Sequence, residues 1–389
     1  MAELKPYRTF LLIALICFTA MFVLEHINGR SWFSDFRVYW SAADALLHGQ
    51  QVYGVPFGES TGFYKYSPFV AMLFVPFALL PFEVASAVWY WCVAAATVAS
   101  IIALHRLLEQ HVSMRTARRT DLILFLGLLC IGNHLVRELH LGNVNVVLML
   151  LALLAFRASS ERPAITGALL ALLFMVKPYL GILFVPFALR GQWRVMAAAV
   201  ATGAAMLALP VLFGSSRSLE LHREWLQAMA QHSGYLNSGD TLSSLMHRAT
   251  GIADAMPLRS GIIGVVVALT VILAWRVRNT GPQGSSAYLL FFGILALVPN
   301  LVITDTQHFL WALPLFAFVL HHLFRHRDVP VLIAFVVLCL LHGGNSSDLL
   351  GSDLSDRVEA WGVLGMANLL LITLCVLIAA RTPANTAAT

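Results

Sequence analysis

Long apolar blocks, separated by short polar stretches, repeat along almost the whole chain. The blocks run for about 13–25 residues, and a helix needs about 20 apolar residues to cross a hydrocarbon core of about 30 Å. Only α-helices and closed barrels satisfy all of their backbone hydrogen bonds inside lipid, and blocks of this length favour helices. The pattern therefore predicts an all-α membrane protein that crosses the bilayer many times.

About twelve of these blocks are predicted to cross the membrane, with both termini in the cytoplasm. The predicted spans are 9–27, 83–107, 120–138, 143–158, 164–177, 178–190, 195–213, 260–277, 287–303, 309–325, 329–342 and 360–380. The positive-inside rule assigns the basic residues beside the blocks to the cytoplasm. These residues are Lys5/Arg8, Arg106 with Arg115/Arg118/Arg119, Arg157/Arg162, Arg190/Arg194, Arg276/Arg278 and Arg325/Arg327.

Two long loops, 28–67 and 214–259, then lie on the non-cytoplasmic face together with most of the acidic residues. Loops of this length on one face of a scaffold usually carry the function. No internal repeat is evident, so residues 1–389 are interpreted as a single transmembrane domain, with a disordered low-complexity tail at 382–389.

Two apolar segments depart from the pattern of simple spans. Residues 67–80 are short and bracketed by Pro68 and Pro81, which indicates a re-entrant or interfacial segment. The blocks 164–177 and 178–190 meet at Lys177-Pro178, within membrane sequence. Irregular backbone at that depth survives only where protein or water covers it. We therefore expect a broken pair of half-helices that lines a cavity.

Composition supports the membrane assignment and excludes several other classes. The chain is 59% hydrophobic and 12% charged, against about 45–50% and about 25% in an ordinary soluble domain. The net charge of +5 comes from residues scattered among short loops, so it reports topology and not a nucleic-acid partner. The five cysteines lie inside apolar blocks without metal-ligand spacing, as small core residues do.

The first outer loop holds the most prominent candidate for chemistry. Residues 36–48 read as a short amphipathic helix stopped by Gly49, and Asp35 precedes it. A carboxylate in that place commonly caps the helix. The same position, next to the bilayer, also suits a catalytic carboxylate. Spacing alone favours the cap.

Several motifs extend this loop in a fixed order along the chain. They are Ser34-Asp35-Phe36-Arg37-Val38-Tyr39-Trp40 with Ala42-Ala43 and His48-Gly49, Tyr64-Lys65-Tyr66-Ser67-Pro68, Leu141-Gly142-Asn143-Val144-Asn145, Gly167 through Lys177-Pro178, Asn237-Ser238 to Arg248, and Asp305-Thr306-Gln307-His308. The ordered set resembles glycosyltransferase family 87. That resemblance implies the multi-span GT-C fold and polyprenyl-phosphate sugars, commonly mannose, as donors.

Such a transfer demands few groups. The acceptor hydroxyl must lose a proton as it attacks the anomeric carbon, so one carboxylate serves as general base, for which Asp35 is the candidate. Charge grows on the leaving phosphate, so cations and donors should face it. The candidates for phosphate binding are Lys177, Arg137, Lys65 and His308. The candidates for substrate binding are Tyr39, Asp44, Tyr64, Tyr66, His140, Asn143, Asn145, Asn237 and Asp305.

Each of these residues also has a plainer interpretation. Lys177 could snorkel from a tilted helix, although charge inside a span is by default functional. Asn133, His134, Arg137 and Glu138 share one helix face, and Arg137 with Glu138 could either carry a function or simply cap the bundle. The loop aromatics also suit an interfacial belt. His308 with Asp305 resembles a ligand pair, but a lone histidine at a helix end is more often a hydrogen bonder, and no metal or cofactor is predicted.

The predicted function is inverting transfer of a hexose, with mannose expected, from a polyprenyl-phosphate sugar to a lipid-linked glycan or similar acceptor. It would occur on the non-cytoplasmic face of a bacterial inner (plasma) membrane, with membrane lipids around the protein. The alternative is a transporter or flippase of lipid-linked glycans, which should show repeated halves and polar groups near the midplane. A third possibility, an O-antigen polymerase or ligase, shares the substrates but not the early Asp35 motif.

Overall fold

The computed structural model describes residues 6–57, 62–111, 120–231, 239–254, 256–276, 284–345 and 347–381. Within these ranges the chain is almost entirely helical, and the only β-structure is an isolated bridge between Pro56 and Phe63. The helices are α1 (Arg8–Ile27), α2 (Ser34–Leu47), α3 (Pro68–Ala78), α4 (Phe82–His111), α5 (Thr120–Cys130), α6 (Gly132–Leu141), α7 (Asn145–Ala158), α8 (Pro163–Val176), α9 (Val185–Leu189), α10 (Trp193–Ala208), α11 (Ser215–Gln231), α12 (Leu242–Thr250), α13 (Met256–Arg276), α14 (Ser285–Leu301), α15 (Leu313–His326), α16 (Val329–Gly343), α17 (Ser347–Leu350), α18 (Ser352–Ala360) and α19 (Val363–Arg381).

The predicted all-α membrane architecture is confirmed. Six helical stretches among the described residues are long and apolar enough to cross a membrane: Arg8–Ile27, Phe82–Gln110, Trp193–Phe213, Met256–Arg276, Thr306–His326 and Val363–Arg381. The pair α5 and α6 forms a seventh if its 64° bend lies within one span. The other apolar helices have 10–17 residues, so the count of about twelve spans stays a prediction.

Helix α3 occupies the segment that was predicted to be re-entrant. It is 11 residues long, begins at Pro68 and contains Pro76, and Pro81 follows its end. Trp40 of α2 donates its indole N–H to the carbonyl of Phe77 at 3.0 Å. This contact helps to seat α2 on α3, but whether α3 enters and leaves the membrane on one face stays a prediction.

An aromatic cluster packs the buried side of α2 against α3 and α4. Phe36 stacks on Trp89 with ring centroids 5.6 Å apart, and Phe74 lies edge-on to Trp89 at 5.1 Å. Aromatic pairs of this kind contribute about 0.5–1.5 kcal/mol beyond the area they bury. The amphipathic helix of the first loop is therefore rigidly attached, which fixes the height and direction of its first turn.

The helix break at Lys177-Pro178 lies where the sequence predicts it. Helix α8 ends at Val176, Lys177 has extended backbone with φ −135° and ψ 96°, and a 3₁₀ turn runs over 178–184. A residue before proline is driven out of the helical region by the proline ring, which explains the position of the break. At this break the Lys177 side chain contacts Asn145 and His308.

Two other turns bring distant segments to the same region. Gly142 ends α6 in the left-handed conformation with φ 66°, and its carbonyl accepts from the Trp89 indole at 2.8 Å. A Cβ at Gly142 would lie 2.8 Å from Cβ of Phe36, so only glycine fits. At the other turn, Asp305 caps a 3₁₀ turn at 306–312, and buried Trp311 donates to the Asn145 carbonyl at 3.0 Å.

Candidate active site

Asp35 lies inside α2 and does not cap it. The N-cap residue is Phe33, with φ 45° and no side-chain capping bond, while Asp35 is the second residue of the helix. Its Oδ2 instead accepts a hydrogen bond of 2.5 Å from Nδ2 of Asn143. The interpretation of Asp35 as a helix cap is therefore wrong, because the helix begins two residues earlier than its hydrophobic pattern indicates.

The carboxyl of Asp35 is shielded from water and has several charged side chains nearby. Burial raises the pKa of its carboxyl, and the hydrogen bond from Asn143 opposes that rise. The charge of Asp305 raises this pKa further, whereas the charges of Lys177 and Lys65 lower it. The same balance describes Lys65, whose pKa is lowered by burial and raised by the two carboxylates. A carboxyl with a raised pKa among cations has the character of a catalytic base.

A chain of three buried side chains leads from α6 to the helix break. Glu138 accepts hydrogen bonds from Nδ2 of Asn145 at 2.9 Å and from the backbone N–H of Val146 at 3.0 Å. The Lys177 ammonium donates to Oδ1 of Asn145 at 2.6 Å. Glu138 and Asn145 are completely buried, and Lys177 is 4% exposed. The sequence left Glu138 open between capping the bundle and an unnamed function, although an ionisable residue in an apolar segment signals function.

His308 connects this chain to the ion pair of Asp305 and Arg137. Its Nε2 lies 2.5 Å from Nζ of Lys177, and its Nδ1 lies 2.9 Å from the backbone oxygen of Asp305. The Asp305 carboxylate pairs with Arg137 at 3.0 Å and 3.1 Å, and the Arg137 side chain is 53% exposed. Arg137 also donates to Oε1 of buried Gln307 at 3.1 Å, a contact that sequence reasoning missed.

The tyrosines of the first loop form one wall beside these charges. The hydroxyls of Tyr39 and Tyr66 lie 3.2 Å apart, and Tyr64 is completely buried against Tyr66 with ring centroids 5.9 Å apart. The Trp225 indole of α11 donates to the carbonyl of Lys65 at 3.1 Å. The second long loop thus contacts the first one at the candidate site.

Two of the predicted substrate-binding residues, Asp44 and His140, are not part of this cluster. Asp44 follows Asp35 by nine residues on α2, which at about 100° per residue puts it about 180° around the helix, where it pairs with His48 at 3.2 Å. His140 pairs with Glu25 at 2.9 Å and lies beside Trp32, with ring centroids 5.5 Å apart. Asn237 lies outside the described residues.

The cluster can bind an anion and accept a proton in one place. Lys177 and Lys65 supply positive charge, and Asp35 supplies a carboxylate whose Oδ1 receives no hydrogen bond from another described residue. Within the described ranges no group of three or more histidine, cysteine, aspartate or glutamate side chains is placed to hold a metal ion. The arrangement therefore suits reactions in which a negatively charged group leaves a carbon centre that a hydroxyl attacks.

Comparison with known proteins agrees with this chemistry. A family model described as glycosyltransferase family 87 matches residues 63–303. A curated relative, the polyprenol-phosphate-mannose-dependent alpha-(1-2)-phosphatidylinositol pentamannoside mannosyltransferase of Mycolicibacterium smegmatis, is 26% identical over 304 residues. That alignment covers 76% of this chain and 70% of the relative.

Proposed function

The chain belongs to glycosyltransferase family 87, and from that membership we propose that it transfers a hexose, with mannose the first candidate, from a polyprenyl-phosphate sugar. The acceptor is a lipid-linked glycan or a similar hydroxyl compound. The donor class is supported by the relative from Mycolicibacterium smegmatis, whose name states its dependence on polyprenol-phosphate-mannose. The reaction takes place on the non-cytoplasmic face of a bacterial plasma membrane, where the two long loops are predicted to lie.

One observation carries the proposal: Asp35 lies in the electrostatic reach of the two lysines and receives its hydrogen bond from Asn143 on a single oxygen. Nδ2 of Asn143 holds Oδ2 in place, so Oδ1 can take the proton of an incoming hydroxyl. As the hydroxyl oxygen forms its bond to the anomeric carbon, the bond from that carbon to the phosphate oxygen breaks. The electron pair of that bond leaves with the phosphate, and the configuration at the anomeric carbon inverts.

The cations act on the departing phosphate. Lys177, at the helix break, and Lys65, at the end of the first loop, supply positive charge near Asp35, and Arg137 is the exposed cation at the outer side. Charge-assisted hydrogen bonds of this kind stabilise charge that grows in the transition state. Afterwards the protonated Asp35 returns its proton to water, which restores the free base.

The test is a transfer assay with purified protein in lipid nanodiscs. A panel of polyprenyl-phosphate sugars is supplied with a glycolipid acceptor, and mass spectrometry detects acceptor that has gained one hexose. We expect transfer from the polyprenyl-phosphate hexose and none from the matching nucleotide sugar. Absence of transfer from every lipid-phosphate donor would overturn the proposal. Movement of an intact lipid-linked glycan across vesicles, without cleavage of a bond, would favour the transporter alternative.

A further inference from the structure

Glu138 is a buried carboxylate for which the proposed reaction has no direct use. Its residue is fully buried, and both of its oxygens accept hydrogen bonds, one from Asn145 and one from the N–H of Val146 in the first turn of α7. A buried ionised group persists only where such partners stabilise it. Part of its role is structural, since it satisfies a free N–H at a helix N-terminus.

The geometry around Asn145 gives Glu138 a second role. Because a carboxylate only accepts, the amide must turn its Nδ2 toward Glu138. Its Oδ1 then points away from Glu138, where the Lys177 ammonium donates to it at 2.6 Å. In the opposite orientation of the amide, its Nδ2 donor would face the Lys177 ammonium, which is also a donor. Its Oδ1 acceptor would face the Glu138 carboxylate, which is also an acceptor. The charge of Glu138 therefore dictates which end of the Asn145 amide faces Lys177.

His308 restricts Lys177 from the other side. If Nδ1–H of His308 donates to the Asp305 carbonyl, Nε2 accepts from the Lys177 ammonium. An ammonium has three N–H donors, of which Asn145 and His308 use two. The third N–H is the one available to a ligand, and its direction is fixed once the other two are fixed.

We propose that Glu138 is a positioning residue that sets the orientation of the Lys177 ammonium toward the donor phosphate through the side-chain amide of Asn145. This inference rests on the proposed function, because Lys177 is the residue that contacts the phosphate there. The negative charge of Glu138 also offsets the positive charge of buried Lys177, with the Asn145 side chain between them. The hydrogen-bonded path Glu138–Asn145–Lys177 thus connects a helix N-terminus to the leaving group of the reaction.

The Glu138→Gln variant keeps the size of the side chain and removes this control. The glutamine amide can accept from Val146 N–H but then presents a donor to Nδ2 of Asn145, so Asn145 must turn its Oδ1 toward the glutamine. Its Nδ2 then faces Lys177, donor against donor. The double variant Glu138→Gln/Asn145→Asp repairs the path, because the new carboxylate accepts from both the glutamine and Lys177 while the total charge stays the same.

The measurement is the Michaelis constant for each substrate in the nanodisc assay. Glu138→Gln should raise KM for the polyprenyl-phosphate sugar by about 10–100-fold, by analogy with the loss that follows when the partner that orients a metal ligand is removed, and leave KM for the acceptor unchanged. The double variant should return the donor KM toward the wild-type value. A variant that is merely misfolded would lower the maximal rate and leave both constants unchanged.

Three results would overturn the inference: an unchanged donor KM in Glu138→Gln, an equal rise in both constants, or a double variant no better than the single one. Binding of the unglycosylated polyprenyl phosphate, measured by native mass spectrometry, separates this inference from the proposed function. If wild-type protein transfers no sugar, the proposed function fails. The positioning role would still be supported if Glu138→Gln bound polyprenyl phosphate more weakly than both the wild type and the double variant. Equal affinity of the three proteins would overturn it.

Discussion

The Asp35 carboxylate and the Asn143 amide meet at 2.5 Å although 108 residues separate them in the chain. Asn143 follows the left-handed turn at Gly142, which fits directly against Phe36 of the helix that carries Asp35. The amide therefore arrives at the carboxylate as a consequence of backbone packing. Four predictions test this relationship and the charges around it, and a fifth tests the side of the membrane on which the site lies.

Asp35→Asn should lower kcat by about 10²–10⁴-fold, the usual loss for a positioned general base. Because burial raises the pKa of Asp35, its charged form is disfavoured by folding. The neutral asparagine should therefore leave the melting temperature unchanged or slightly higher. Asp44→Asn, on the opposite face of α2, is the matched control and should keep wild-type turnover. The reverse pattern would make Asp44 the base.

The pH profile should report the same carboxyl. A general base works in its deprotonated form, so kcat/KM should fall as pH drops through the pKa of Asp35, which lies above its ordinary value. Asn143→Leu removes the hydrogen bond that favours the charged form, so the acidic limb should move to higher pH. A limb at the same pH in both proteins would mean that another group titrates.

Lys177→Met should weaken binding of the lipid-phosphate donor with the protein still folded, because the methionine side chain fills a similar space without charge. Arg157→Met is the control, because it also replaces a cation by methionine but at an exposed position near the C-terminal end of α7. Donor affinity is measured by titration in nanodiscs. Equal affinity of Lys177→Met and wild type would remove Lys177 from the phosphate site.

Gly142→Ala should reduce both stability and turnover. An alanine at a positive φ costs about 1 kcal/mol or more, and here its Cβ would also lie 2.8 Å from Phe36 and displace α2. Gly29→Ala has a similar φ, +67°, with nothing within 4 Å, so it should show the backbone strain alone. Thermal unfolding and kcat of the two variants are compared. Equal effects would indicate that the contact with Phe36 does not matter.

Labelling with an impermeant thiol reagent should establish the sides of the membrane. In a cysteine-free background, single cysteines at Gln50 and Ile252, both exposed, should react in intact cells. A cysteine at position 115, which lies outside the described residues, should react only after the membrane is opened. Labelling of position 115 from outside would reverse the topology and move the proposed site to the cytoplasm.

The sequence alone determined the features that local physics controls. Apolar blocks require helices in a membrane, and Lys177-Pro178 requires a break, because the proline ring excludes the preceding residue from the helix. The ordered motifs indicated the family, and the choice of Asp35, Lys177, Asn145 and His308 came from the residue types within them. The hydrophobic pattern alone misplaced the start of α2 by two residues, because the end of a helix is its least sharply defined part.

Only the tertiary structure decided which polar groups meet. Lys177 and His308 lie 131 residues apart in the chain, and Lys177 and Asn145 lie 32 apart, so no local periodicity encodes their hydrogen bonds. For the same reason the sequence could not show that His140 pairs with Glu25. The role of Glu138 follows from the hydrogen bonds that both of its oxygens accept. A buried charge is stabilised by its neighbours in space, which the order of residues in the chain does not specify.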